Sequence, residues 1–185
     1  MGISSEARLL LTERERAMNK AALTKAIKRY PLAVTKQGFP VGSQAQQEAA
    51  LLTQKYIQTY PELADDIHAT ALILWSLGDL QVRDYALGLV ESDNLSHHAQ
   101  VWTNLTLTAP KQYRSAPASI LSAIRYEQND KAEAMAWLLQ HADFEYPLAK
   151  LLRRVYNAEW HPNALAGLRK ELHPKVTAKI FGEEE

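Results

Sequence analysis

Cysteine is absent. That excludes a disulfide framework, a thiolate metal site and a thiol nucleophile. Glycine and proline are scarce, seven and eight among 185 residues. Most of them fall between periodic segments, which argues against a β-sandwich or barrel. Long apolar runs are missing as well; the longest stretch, Ala71 to Trp75, is far short of the roughly 18 residues that a membrane span needs. There is no excess charge of either sign, since 21 basic and 21 acidic residues cancel. No overall field therefore points to nucleic acid or an anionic membrane. Gly-Lys-Ser/Thr, Gly-x-Gly-x-x-Gly and Gly-x-Ser-x-Gly do not occur, so no phosphate-cradling loop or nucleophile elbow is expected, nor any cofactor.

The beginning of the chain carries no address that physics would predict. Leu9-Leu10-Leu11 is too short for a signal-peptide core, and Glu13 and Arg14 follow closely. Glu6 stands where a myristoylation signal on Gly2 would need Ser or Thr. A cytoplasmic protein without a membrane anchor is expected.

What is present is helical periodicity with 46% apolar residues. The spacing predicts a first helix over residues 4–29, through Leu9, Leu10, Ala17, Ala21, Leu23 and Ile27, ended by Pro31. A loop follows over 35–43. Ser43 is the expected N-cap of a helix reaching Tyr60, and Pro61 the opening of another over 62–77. That segment is apolar on most sides and is expected at the centre of the core. Gly78 is expected to end it in the left-handed conformation, with Asp79 capping the next helix. Later helices pass through Trp102, Ile124, Trp137, Leu152 and Leu165, with Ser115 as a cap, Asp130 and Glu133 as a capping box, and Pro147 and Pro162 in first turns. No strand is convincing; Leu32-Ala33-Val34 is the only short candidate. The predicted fold is all-α: a single domain of stacked antiparallel helical hairpins, helical-repeat-like. It divides into an N-terminal helix region (1–34, a first helix that could stand detached), the loop (35–43), the helical domain (44–182) and an acidic tail (183–185).

Trp75-Ser76-Leu77-Gly78-Asp79 and Tyr126-Glu127-Gln128-Asn129-Asp130 look alike: an aromatic, then Gly or Asn, then a capping Asp. The same bend chemistry is expected at both.

Three stretches carry a family likeness. They are Leu77-Gly78-Asp79 with Val82-Arg83-Asp84, then Tyr113-Arg114-Ser115-Ala116-Pro117, then Tyr146-Pro147-Leu148-Ala149-Lys150-Leu151-Leu152. In order and spacing they resemble the C-terminal half of the actinobacterial family called domain of unknown function 4192. The likeness covers roughly residues 64–166 and fits the first helix loosely. Asn129-Asp130 replaces that family's Gly-Asp-Gly bend, and Trp160-His161-Pro162 its double-proline turn. The family's strand-rich N-terminal half is missing, which implies a short member or a cut-down chain. The resemblance implies a fold and a host group, and no chemistry.

Charge is segregated along the chain. Residues 1–36 carry eight bases and three acids, 61–100 one base and seven acids, and 146–181 seven bases and two acids. The six histidines make no pair at metal-binding spacing, and His97-His98 point about 100° apart on a helix. They read as surface or half-buried imidazoles. The candidate binding residues are Arg83 and Asp84, a guanidinium–carboxylate pair in the family-like motif, with Arg153, Arg154 and Trp160. The leading expectation is a non-enzymatic scaffold that binds a protein partner or itself. One alternative is a small-molecule or enzyme site near Arg83 and Asp84. The other is a nucleic-acid groove lined by Lys150, Arg153, Arg154, Arg169 and Lys170, which the balanced charge argues against.

Overall fold

The computed structural model of the chain describes residues 13–30 and 38–182. Among them are nine α-helices and no strand: α1 (Glu13–Ile27), α2 (Gln44–Thr59), α3 (Ile67–Ser76), α4 (Leu80–Gly88), α5 (Leu95–Thr108), α6 (Ser115–Glu127), α7 (Lys131–His141), α8 (Pro147–Asn157) and α9 (Pro162–Phe181). None is long and apolar enough to cross a membrane. Leu9, Leu10, the candidate strand at 32–34 and the acidic tail lie outside the described residues.

The helices pack as one stacked set. α1 lies on α3, α2 on α3 and α4, α5 on α6, and α6 on α7. α8 covers α6 and α7, and α9 returns to α4, α6 and α2. The first helix is not detached, because Leu23, Ala26 and Ile27 are in the main core. That core also holds Tyr56, Ile73, Leu74, Trp102 and Leu105. Each large side chain so removed from water contributes about 1.5–3 kcal/mol. A second core joins α6 to α8 through Tyr126, Leu138, Leu152 and Tyr156. α6 serves both, and so is buried from Ala116 to Ile124.

Several expected ends are changed by local hydrogen bonding. The segment 62–77 is two elements. A 3-10 turn, Glu62–Asp65, precedes Asp66, whose carboxylate accepts the His68 and Ala69 N–H groups and restarts the chain as α3. Gly78 does not take positive φ. The Gly78 and Asp79 amides donate to Trp75 and Ser76 carbonyls, so the turn tightens in the right-handed sense. Ser115 lies inside α6, not before it; its hydroxyl accepts the Asp143 N–H instead. Asp130 accepts the Glu133 N–H as expected, while the Glu133 carboxylate is used by the Trp137 indole.

The two bends thought alike are therefore different. Asn129 is left-handed (φ 65°), and its counterpart is Glu159 (φ 53°), 30 residues on. Asp130 N donates to Arg125 O and Asn129 N to Tyr126 O. Trp160 N donates to Val155 O and Glu159 N to Tyr156 O. Both helix ends have the same Schellman pattern. Their tyrosines, Tyr126 and Tyr156, stack at 4.3 Å.

Candidate functional site

Asp79 organises the beginning of α4. It is buried, and its carboxylate accepts the Val82 N–H (2.9 Å), the Phe39 N–H (2.7 Å) and the Gln46 amide (3.1 Å). One helix turn on, Arg83 donates from Nε and Nη2 to Asp84 Oδ1 at 2.9 and 2.6 Å. The Arg83 side chain is only 9% exposed. Its Nη1 is buried without a hydrogen-bond partner. Burial opposes its charge, but the neighbouring Tyr146 and Asp84 oxygens raise its pKa above the ordinary value. The guanidinium lies 5.8 Å from the Tyr146 ring centre. Burial raises the Tyr146 pKa in turn, with Arg83 opposing.

Tyr146 also faces a cleft of about 390 Å³, whose wall includes Gly78, Tyr113, Ser115, Asp143 and Glu145. Arg83 and Asp84 are not in this lining. They neighbour Tyr146 without lining the cleft. The Ser115–Asp143 bond (2.8 Å) and an Asp143 Oδ1 bond to the Glu145 N–H (2.8 Å) shape the loop before α8. Phe144, in that loop, is 68% exposed.

The remaining candidates have other partners. Arg153 donates to the Phe144 carbonyl and lies 4.4 Å over its ring. Arg154 is exposed elsewhere on α8. Trp160, 45% exposed, borders a separate notch of about 290 Å³ with Tyr126, Lys131 and Glu159. Lys150 pairs with Glu145 at 2.8 Å. Arg169, expected in a basic groove, is internal. Its Nε and Nη2 bind both oxygens of Glu127, and its Nη1 and Nη2 reach the Val90 carbonyl and Ser92 hydroxyl. Sequence reasoning missed this pair, because nothing local distinguishes Arg169 from a solvated arginine of α9.

The histidines are more buried than expected in one case. His98 is enclosed, accepts the Glu91 N–H at Nε2 (3.1 Å) and leaves Nδ1 unpartnered. Burial, then the neighbouring His97 and Arg169, push its pKa down to about 4. His97 contacts the Ile57 carbonyl at 2.8 Å. Among the described residues, no group of three or more His, Asp or Glu is placed to hold a metal ion.

The order of these features along the chain can be set against known families. A family model described as domain of unknown function (DUF4192) matches residues 5–163. The chain belongs to this family. No curated protein and no solved structure matches it. The DUF4192 match takes in α1 to α8, while α9 from Ala164 onward lies beyond its end. Within the DUF4192 region the three quoted stretches do structural work first. Val82, Ala116, Leu148, Ala149 and Leu152 are core residues, and Asp79 is a cap. The same stretches then meet in space: the cleft wall takes Gly78 from the first, Tyr113 and Ser115 from the second, and Tyr146 from the third.

Proposed function

We propose that the protein is a non-enzymatic helical scaffold that binds a partner protein, and that the cleft beside Tyr146 receives a cationic side chain of that partner. The convergence of three stretches, distant in sequence, on one opening of about 390 Å³ carries this reading. Two tyrosines and the Asp143 carboxylate in the wall suit an ammonium or guanidinium group, while Glu145 is shared with Lys150. Phe144, between Asp143 and Glu145 in sequence, adds exposed apolar surface to the same loop. The polar groups nearby are engaged in structure: the Ser115 hydroxyl with the Asp143 amide, and Arg83 with Asp84. This supports recognition over catalysis.

The test is a titration of ¹⁵N-labelled protein with a short lysine-rich peptide and a glutamate-rich counterpart. Saturable shifts of the Gly78, Asp143 and Glu145 amides are expected with the lysine peptide alone. Asp143→Asn with Glu145→Gln should weaken them several-fold. No saturation, or equal response to both peptides, rejects the reading.

A second copy of the chain is the partner that α8 and α9 favour. Leu151, Trp160, Leu168 and Leu172 are exposed there, and zero net charge leaves little repulsion between copies. Sedimentation should show mass rising with concentration, and Leu168→Lys with Leu172→Glu should abolish the rise. A strict monomer rejects self-association. A nucleic-acid groove has less support, since Arg169 is internal and Lys150 and Arg153 are tied to the α7–α8 loop.

A further inference from the structure

Residues 88–92 lead from the end of α4 toward α5, and three side chains hold them. His98, on α5, accepts the Glu91 N–H at Nε2 (3.1 Å). Arg169, on α9, donates to the Val90 carbonyl and the Ser92 hydroxyl. His173, about one helical turn beyond Arg169, packs on Gly88 so closely that a Cβ there would lie 2.0 Å from its Nδ1. A residue with a side chain would push the ring away.

Both imidazoles fit here as neutral rings. His98 Nε2 needs its lone pair to accept an N–H, so the ring proton sits on Nδ1, which is shielded and unpartnered. A second proton, on Nε2, would set donor against donor and break the bond to the Glu91 amide. The same residue offers the alternative partner: a carboxylate oxygen of Glu91 stands 3.9 Å from Nε2. His173 Nδ1 is likewise shielded and without a partner.

The surrounding charges favour the neutral state. Glu91 and Asp93 approach His98 from the connection, His97 from its own helix and Arg169 from α9. His173 faces Arg169 on its own helix and the Tyr85 ring, 5.2 Å away, on α4. The buried Glu127 carboxylate, on α6, is taken up on both oxygens by Arg169. Burial disfavours a proton on both rings. His97 and Arg169 add to this at His98, where Asp93 opposes it, and Arg169 adds to it at His173.

The middle of α9 is placed to let go. α9 is the last helix among the described residues, and α1 to α8 have their own packing on one another. Pro174 has no N–H, so the α9 ladder is one bond short beside His173. We propose that His98, Arg169 and His173 form a proton-released clasp: acid turns His98 from the Glu91 amide to the Glu91 carboxylate, and the middle of α9 then lifts from α4 while the other helices stay packed. The clasp is complete above about pH 6.5 and opens as pH falls toward about 4. It is independent of the Tyr146 cleft and does not rest on the partner reading.

The test is residue-resolved amide exchange on the full chain, taken as protection relative to the intrinsic rate, from neutral pH to about pH 4. Protection at Glu91 and from Arg169 to His173 should fall several-fold more than at Trp102 and Ile124, which report on the core. His98→Gln keeps an acceptor for the Glu91 amide but takes no proton, so the difference should shrink several-fold. Glu91→Gln, at an exposed position, keeps the N–H and removes the carboxylate, so the His98 ring should titrate at lower pH. Equal loss at all these amides, protection unchanged across the range, or a difference and a titration that neither variant alters would overturn the clasp. The lysine peptide reports on Gly78, Asp143 and Glu145, so either proposal can fail while the other stands.

Discussion

Arg169 and Glu127 form a two-pronged ion pair, with Nε–Oε1 at 2.9 Å and Nη2–Oε2 at 2.7 Å, between side chains only 2% and 4% exposed. The pair joins α9 to α6. Because the guanidinium also reaches Val90 and Ser92, it fixes the α4–α5 connection too. Removing one partner leaves a buried charge without compensation. Arg169→Met should destabilise the protein by about 3–5 kcal/mol in denaturant unfolding. The double replacement, Arg169→Met with Glu127→Leu, should recover much of that loss. If the single variant costs no more than a surface substitution, the pair does not hold α9 in solution.

Asp79 predicts a loss larger than that of an ordinary cap. Ser, Thr, Asn or Asp caps are worth about 0.5–2 kcal/mol, but this carboxylate also holds the Phe39 amide and Gln46. Asp79→Ala should exceed the cap range and expose to hydrogen exchange the Phe39 amide and, through the freed Gln46 that accepts it at Oε1, the Gly42 amide. Gly38→Ala should mimic part of this. Gly38 has φ +72°, and an added Cβ would lie 2.5 Å from Asp79 Oδ2. Unchanged exchange in either variant would count against the anchor.

His98 makes stability depend on acid. Its folded pKa, about 4, lies below the ordinary 6.5 because burial disfavours the imidazolium. The unfolded chain therefore binds the proton more readily. The stability that neutral His98 contributes is complete above pH 6.5 and falls as pH drops toward about 4. Burial lowers His141 and His173 in the same direction. His98→Gln keeps an acceptor near the Glu91 amide and should flatten this part of the pH–stability curve. An imidazole signal titrating near 6.5 would disprove it.

Glu159 predicts a gain. It holds φ 53° at a helix end where glycine fits best. Its exposed pairing with Lys131, at 3.7 Å, contributes little. Glu159→Gly should stabilise the chain by up to about 1 kcal/mol. A lower melting temperature would show that the bend depends on the side chain.

Local signals were readable where they depend on neighbours in sequence. Ser43 accepts the Gln46 N–H, Pro147 and Pro162 open their helices, and Trp102 and Leu138 are fully buried, all as their spacing implies. Where a residue had two available partners, the distant one could win. Ser115 has the side chain of a cap, yet it takes an amide 28 residues away. Gly78 could have been left-handed, but its turn closes on Trp75 and Asp79 on Ser76. Of the candidate residues, Arg83 and Asp84 do meet, Arg83 and Arg153 contact neighbouring residues Tyr146 and Phe144, and Trp160 borders a separate notch.

Apolar spacing, capping residues and helix-opening prolines by themselves determined an all-helical chain, since each acts within one or two turns of backbone. Tertiary structure alone decided which charges are internal and which clefts exist. Whether Arg169 meets water or Glu127 depends on how α9 and α6 are laid against their neighbours. Those placements follow from the packing of the whole set of helices, and no single segment encodes them.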